Sequence, residues 1–459
     1  PIGIQTFRTI IDGGYTYVDK TEVIYKLVSG SPAIFLSRPR RFGKSLLLST
    51  LEEIFRGNKE LFKDLWIYKS DYNWQEHPVI RFDFSKMKPF TPDELKAAII
   101  SNINDIANSY ELSLSATTYE LRFAELIREL SKQQKVVILI DEYDKPIIDN
   151  ITDLDLATQM REVLKGFYTI VKAAGEYIRF VLLTGVSKFS KAGVFSGLNH
   201  LMDISMNRKY SAIAGITQQE LEQNFVGYIE QLQSEEELSR HDLLEKIKLW
   251  YNGYCFSEKC TQVYNPFSLL LLFENLSFRN FWFETGTPSF LVSLMKSSNY
   301  NLAQMPIQAE VDAFSTYEVE NLAVTPLLFQ AGYLTLTGHD RNRELYTLDF
   351  PNIEVRKSFL NYLAKSYTRK ELALADIYKM TDALAANDFE QFFTVLKTFF
   401  ANIDYDLHLD YEKYYQTIFY VVFNLIGLNI KAEVKTNMGR INDLIESDGS
   451  NSDSVDDIY

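Results

Sequence analysis

Cysteine is nearly absent from this chain: Cys255 and Cys260 are its only two in 459 residues. Two cysteines cannot build a disulfide framework, so a reducing compartment is expected. They also lack a second ligand pair at zinc spacing, which argues against a zinc site. Positive charge is short as well, with 47 Lys and Arg against 61 Asp and Glu and a net charge of −14. An acidic chain is not a general polyanion binder, so any nucleic-acid contact needs a local basic patch. No apolar run suits a membrane span. The longest, "YYQTIFYVVFNLIGLNI" at 414–430, is interrupted by Gln416 and Asn424 and is short for the purpose. No secretory signal opens the chain, and Pro1 is not an initiator, so a few preceding residues are expected to be missing. The expectation is a cytoplasmic protein without a membrane partner. Internal repeats and long flexible linkers are lacking too.

What is present fits a globular protein. The length suggests roughly two to four domains, and an apolar fraction of 46% can supply their cores. The 28 Tyr and 32 Phe are read as packing residues. In the first half, strand-like and helix-like segments alternate. "PAIFLS" (32–37) is a short strand, and a helix is expected from Lys44 to about Phe55, with Leu47, Leu48, Leu51 and Phe55 at helical spacing. "HPVIRFDFS" (77–85) reads as a second strand. Thr91 then caps a helix that has Pro92 at its first position and Glu94 at its third. A helix at about 119–134 leads to "KVVILIDEYD" (135–144), a strand buried on both faces. A helix at 157–174 and the strand and turn "IRFVLLTGVSKFS" (178–190) follow. This alternation predicts an α/β fold with a parallel sheet covered on both faces, and ligands in such sheets sit at the carboxyl ends of the strands. Beyond about 207 helices dominate. Thr217 to Glu220 forms a second capping box, and Asn265-Pro266 opens another helix. The region 371–429 is mainly helical, 431–447 reads as a strand pair around Gly439, and the acidic tail "DGSNSDSVDDIY" reads as loop or disorder.

One loop carries phosphate chemistry. In "FLSRPRRFGKSLLLSTLEEIF" (35–55), Gly43, Lys44 and Ser45 end a strand–loop–helix passage as a phosphate-binding loop ends. Such a loop needs converging backbone N–H groups, a helix N-terminus, a lysine at the terminal phosphates and a hydroxyl on Mg²⁺. The usual pattern has a glycine where this chain has Arg38. Pro39 can fix the turn instead, and Arg38, Arg40 and Arg41 can hold phosphates by charge. The expected nucleotide contacts run from Arg38 through Phe42, Gly43, Lys44 and Ser45 to Leu46. At the end of the 135–144 strand, Asp141 and Glu142 supply the two carboxylates that ATP hydrolysis needs, one to organise Mg²⁺ and one to polarise the attacking water. Thr184 and Ser187, after the next strand, are placed to sense the γ-phosphate.

Seven stretches, "PIGIQTF", "YTYVDKT", "FLSRPRRFGKSLLLSTL", "VVILIDEYDKPIID", "RFVLLTGVSKFS", "VYNPFSLL" and "FWFETGTPSFL", together resemble the bacterial AAA-ATPase-like family. The resemblance runs from residue 1 to about 295 and resumes weakly near 405–459. The family shares the glycine-poor loop opening. The resemblance implies a P-loop fold of the additional-strand, catalytic-glutamate type, with the Thr184 strand between those carrying the P-loop and Asp141. It implies ATP and Mg²⁺ as ligands, Lys44 and Ser45 as phosphate and magnesium contacts, Asp141 as the magnesium carboxylate, and Glu142 as the base. No arginine finger carries over. Arg208, just past the strand "LMDISM", is the candidate in this chain, and a partner subunit is the alternative source.

Family members often end in a nuclease-like domain of the PD-(D/E)xK superfamily. Its pattern is a Gly-Arg-x-Asp turn followed by a Glu-x-Lys strand. Here "GRIND" puts Asn442 at the acid position with Asp443 one residue later, and no Glu-x-Lys follows. Glu433 and Lys435 precede the turn. The chain as it stands is therefore expected not to cut DNA. The resulting division is 1–206 for the P-loop domain, 207–370 for a mainly helical lid or middle region, and 371–459 for an incomplete nuclease-like domain. The primary expectation is a Mg²⁺-dependent ATPase coupled to a C-terminal effector. Its alternatives are a slow or non-hydrolysing nucleotide-binding interaction module and an ATP-regulated nuclease in a longer protein. The partners expected are nucleotide, DNA through the C-terminal module, and a protein partner or a second copy of the chain.

Overall fold

The protein is described here from a computed structural model. It covers residues 2–189, 201–282, 289–298, 300, 302, 305–310, 314, 323–368, 373–401, 411–426, 428–436 and 439–447. The acidic tail beyond 447 and most of "FWFETGTPSFL" lie outside the described residues.

The chain opens with α1 (Phe7–Asp12) and α2 (Thr21–Val28) and enters β1 (Ala33–Ser37), whose residues are all buried. α3 (Lys44–Phe55) follows the loop, and its start is set by Gly43 in the left-handed conformation at φ 89°. Glycine takes that conformation without a side-chain clash. β2 (Val79–Asp83) precedes α4 (Pro92–Ser109), where the Thr91 hydroxyl accepts from the Glu94 N–H as a cap should. α5 (Tyr119–Ser131) leads into β3 (Val136–Asp141), six consecutive buried residues. α6 (Lys145–Ile148), α7 (Leu154–Ala173), β4 (Ile178–Gly185) and the two-residue β5 (Met202–Asp203) complete this part.

All five strands are parallel, in the order β2-β3-β4-β1-β5, and helices flank the sheet. This is the α/β architecture of a P-loop fold. β4 lies between β1 and β3, so their carboxyl ends meet: Ser37 pairs with Gly185, and Ile140 with Leu183. The abundant aromatics pack the core, as in the stacked Phe123 and Phe167 rings, 4.4 Å apart, with Phe82 set edge-on at 4.8 Å from Phe167.

Past the sheet come α8 (Gln218–Asn224), α9 (Val226–Glu236), α10 (Arg240–Tyr251) and α11 (Pro266–Asn275). The capping box at α8 is complete, with Thr217 and Glu220 each accepting from the other's backbone N–H. Asn265 accepts from Phe267 N and Ser268 N ahead of α11. Between α10 and α11, an antiparallel bridge from Tyr254 to Val263 folds the chain back on itself. Within that fold-back Cys255 and Cys260 are joined as a disulfide. This corrects the expectation of a reduced pair. The bridge brings two residues near in sequence together, so one local link forms without any framework.

α12 (Ser289–Ser297) and β6 (Ile307–Glu310) precede α13 (Val324–Ala331), β7 (Thr335–Asp340) and β8 (Leu345–Asp349). The three strands form a small sheet in the order β6-β8-β7. α14 (Ile353–Thr368), α15 (Ala373–Ala385), α16 (Phe389–Ala401) and α17 (Tyr411–Leu425) follow, then the antiparallel pair β9 (Leu428–Thr436) and β10 (Gly439–Ser447). The chain divides into two compact units. One comprises Pro1–Arg279 with Ala309–Tyr346, the other Asn280–Gln308 with Thr347–Tyr459. In the second unit, the fully buried Glu354 accepts from the N–H groups of both Phe281 and Trp282 at 2.7 Å. No helix among the described residues is long and apolar enough to cross a membrane.

Candidate functional site at the carboxyl edge of the sheet

Three loops leave the adjacent ends of β1, β3 and β4, and backbone bonds tie them together. Arg38 N donates to Gly185 O at 3.1 Å, and Tyr143 N to Thr184 O at 3.0 Å. The β1 loop brings Lys44 to the first turn of α3. Its side chain is 5% exposed, and Nζ donates to the carbonyls of Arg38 (2.9 Å) and Pro39 (3.0 Å). Burial pulls the ammonium below the usual lysine range, and the charges of Glu142, Asp141 and Asp144 pull it back up. Lys44 therefore shares one electrostatic field with all three carboxylates of "DEYD".

The position of the usual first glycine makes no demand for glycine here. Positive φ occurs instead at Arg41 (68°) and Gly43 (89°). Arg40 and Arg41 are exposed, and the Arg41 guanidinium lies 4.9 Å from the Phe267 ring centroid. Arg38 differs from its expected role. Its side chain is 1% exposed, and its guanidinium donates to backbone carbonyls of Ser37, Ser205 and Tyr210. It does so because β5 lies beside β1 and brings the 205–210 segment within reach. Phe42 is buried against Tyr254 and Phe256, edge-on at 4.8 and 5.5 Å. Ser45 and Leu46 lie partly exposed in the first turn of α3.

On β3, Asp141 is 2% exposed, and its Oδ1 accepts from the Thr184 hydroxyl at 2.8 Å and from Glu142 N at 3.1 Å. Thr184 is fully buried. Its hydroxyl holds Asp141, where the sequence had suggested a direct γ-phosphate sensor. Glu142 takes a positive φ of 48°, a costly conformation for a residue with a side chain. Its carboxyl is raised by burial, lowered by Lys44, and raised again by Asp144 and Asp141. A proton-accepting carboxylate gains basicity from such a shift.

Asp144, the last acid of "DEYD", was not singled out by sequence reasoning although the signal was there. Its carboxylate is 2% exposed and accepts from Val186 N and from Ser187 N, the latter at 2.6 Å. Burial raises its carboxyl, while the Ser187 N–H and the Lys44 and Arg40 charges lower it. Tyr143 adds a second clasp: its hydroxyl donates to Ser187 O and accepts from Phe189 N. Ser187 thus meets Asp144 and Tyr143 through its backbone. Arg208 is exposed, on a short turn (Arg208–Tyr210) past β5, at the same edge of the sheet.

Beside Gly43 lies an apolar cavity of about 130 Å³. Its walls include Ile4, Tyr17, Phe42, Leu46, Ile213, Ile216 and Pro266, with Lys20 as its charged member. Gly215 N donates to Phe42 O at 3.1 Å, joining the 213–216 wall to the loop. Lys20 is paired at 2.6 Å with Glu220, the capping residue of α8. No sequence signal identified the 213–216 wall.

Among the described residues, no group of three or more His, Cys, Asp and Glu side chains is arranged to hold a metal. At the other end of the chain, the β9–β10 pairs keep one alignment from Gly439↔Thr436 to Ser447↔Leu428, with Asp443 opposite Ala432. No bulge there shifts the register of Asp443.

The family model describing a predicted AAA-ATPase matches residues 1–195. The "Uncharacterized protein in vnfD 5'region" of Azotobacter chroococcum mcd 1 is 40% identical over 458 residues, covering 96% of this chain and 86% of its own length. No solved structure matches. With the loop, the strand order and the paired acids at one sheet edge, and this likeness along nearly the whole chain, the protein belongs to the AAA-ATPase-like family of predicted AAA-ATPases.

Proposed function

We propose that this chain binds ATP with Mg²⁺ at the 38–45 loop and hydrolyses it. The supporting observation is that buried Lys44, in the first turn of α3, and Asp141 and Glu142, at the end of β3, come together where backbone bonds tie the adjacent strand ends at one edge of the sheet. Lys44 binds the terminal phosphates, and the N-terminus of α3 adds its N–H groups. Ser45 and Asp141 are the residues that would hold Mg²⁺. A small set suits this ion, which usually keeps several waters and takes its other oxygens from substrate phosphates. Mg²⁺ would neutralise charge on the β- and γ-oxygens. Glu142, made more basic by burial, orients and polarises the attacking water. Thr184 keeps Asp141 in place, and Arg208, or an arginine from a second chain, meets the charge that develops on the γ-phosphoryl group. The apolar cavity beside Gly43 takes the nucleobase, because it opens next to the phosphate loop and its walls suit a flat, largely apolar ring.

In the same reading, residues 1–206 form the ATPase domain, 207–370 the lid or middle region, and 371–459 a nuclease-like effector that answers to nucleotide state. DNA and protein partners belong to that effector. The constant alignment on both sides of Asp443 supports an effector without cutting activity of its own. A slow or non-hydrolysing nucleotide-binding module is the second reading, since Arg208, the finger candidate, is exposed on a turn outside the loop.

The test is phosphate release from ATP and Mg²⁺ by the chain, alone and with DNA, beside Glu142→Gln. Turnover that depends on Glu142 supports the ATPase. Tight ATP binding with no turnover favours the second reading, and no ATP binding at all sinks both.

A further inference from the structure

Arg38 stands where the common phosphate-loop pattern has its first glycine, and it is among the largest fully buried side chains of the described residues. Nη1 donates to Ser37 O at 2.8 Å and to Ser205 O at 2.7 Å, and Nη2 to Tyr210 O at 3.2 Å. The guanidinium carbon sits 4.2 Å from the centroid of the Phe256 ring. Nε has no partner. The main chain of the same residue faces the loop: its carbonyl accepts from Lys44 Nζ, and its N–H donates to Gly185 O.

A buried charge without an ion-pair contact is expensive, and an apolar side chain would fill the same space at lower cost. Burial pulls the guanidinium down to about 9, with the Asp203 charge opposing, so it stays a cation at neutral pH. What an apolar residue cannot do is donate in three directions from one rigid plane. The three acceptors belong to two pieces of chain. Ser37 ends β1 and opens the phosphate loop. Ser205 and Tyr210 bracket the turn that carries Arg208.

We propose that Arg38 is a positioning residue for ATP hydrolysis: its buried guanidinium holds the Arg208 turn against the mouth of the phosphate loop. The proposal rests on the ATPase reading. It gives the departure from the glycine pattern a function, because glycine at 38 would leave the Ser205 and Tyr210 carbonyls without this donor. The Arg38 side chain acts through Arg208 and touches no phosphate.

The experiment measures Mg²⁺–ATP affinity by calorimetry, steady-state hydrolysis and thermal melting for the wild type, Arg38→Lys, Arg38→Met, Arg208→Ala and Arg38→Lys/Arg208→Ala. Lysine keeps the charge but not the planar fork. The expected result for Arg38→Lys is ATP affinity within about threefold of wild type and kcat lower by about tenfold or more, a loss that exceeds any change in KM. The double variant should then be no slower than the slower single variant, because both changes break one arrangement. If Arg38→Met does not fold, Arg38→Lys carries the test. Three results overturn the proposal: affinity lost on removing the charge but kept with lysine, which makes Arg38 a phosphate ligand; losses in kcat that multiply in the double variant; and unchanged kinetics with only a lower melting temperature. An inactive wild type overturns the ATPase reading together with this proposal. An active wild type matched by equally active variants overturns this proposal alone.

Discussion

The Thr184 hydroxyl donates to Oδ1 of Asp141 across 2.8 Å, joining the ends of two neighbouring strands in a fully buried contact. Asp141 lies at the end of β3, and the bond fixes its carboxylate from the side of β4. Thr184→Val keeps the shape and removes the donor. A hydrogen bond to a charged group contributes about 1.5–3 kcal/mol, and Oδ1 would still accept from the Glu142 N–H. The variant should lose stability in that range by chemical denaturation, and its hydrolysis should require more Mg²⁺ for half-maximal rate. An unchanged Mg²⁺ requirement would show that Asp141 is held well enough without Thr184.

Lys44→Ala removes the ammonium from the loop. Hydrogen bonds to charged groups contribute about 1.5–3 kcal/mol, so ATP affinity should fall by about ten- to 150-fold. Calorimetry on a variant shown by its melt to be folded reads this directly. In the wild type, Lys44 must be protonated to bind phosphate, and burial lowers its proton affinity. ATP affinity should therefore weaken as pH rises toward a value below the ordinary lysine range. Undiminished binding in a folded Lys44→Ala protein would remove the loop from the site.

Glu142→Gln preserves size but loses the negative charge. Nucleotide should still bind, and turnover should drop by about 10²-fold or more if the carboxylate is the general base. The base works deprotonated, and burial raises its carboxyl. Wild-type turnover should therefore rise with pH through a value above the ordinary glutamate range. Whatever turnover the variant retains should lack that acidic limb. A profile shared by both proteins would make Glu142 a structural acid.

Gly185→Ala tests the packing between the two loops. A Cβ there would lie 2.6 Å from Asp144 Oδ1 and 2.6 Å from the Tyr143 ring. Overpacking of this kind costs about 1–3 kcal/mol. Denaturation should show that loss, and hydrolysis should fall further than stability alone requires, since Asp144 and Tyr143 hold the 186–189 segment. Stability and turnover both matching wild type would mean that the loops have slack.

The chain should not nick plasmid DNA with Mg²⁺ or Mn²⁺. Metal-dependent cleavage needs acids converging on an ion, and the constant β9–β10 alignment leaves Asp443 without a bulge to shift it. Nicking that copurifies with the protein and disappears in Asp443→Ala would overturn this expectation.

Much of the fold could be read locally. α3 spans Lys44–Phe55, as its leucine spacing and the preceding Gly43 indicated, and β3 is buried on both faces, as five apolar residues in a row required. Thr91, Thr217 and Asn265 accept N-terminal backbone N–H groups at the helices they were expected to open. Such signals are short-ranged: a cap acts over three residues and a periodic face over two turns. The types of residue at the site, Lys44, Asp141 and Glu142, were legible for the same reason. Each ends or begins an element whose pattern is strong.

Only the tertiary structure decided which groups meet. Strand periodicity does not order strands; the family resemblance did place β4 between β1 and β3, as found, but it could not show the Thr184 hydroxyl donating to Asp141. Nor could a basic turn reveal that Arg38 is drawn inward by carbonyls of Ser205 and Tyr210, more than 160 positions away, while Arg40 and Arg41 stay exposed. The cavity wall at 213–216 reaches Phe42 by a backbone bond that leaves no mark on side-chain identity. Sequence by itself determined the elements and their chemistry, because those follow from neighbours along the chain. Strand order and burial decided the direction of each charged side chain, because desolvation and hydrogen-bond supply depend on residues brought together from far apart.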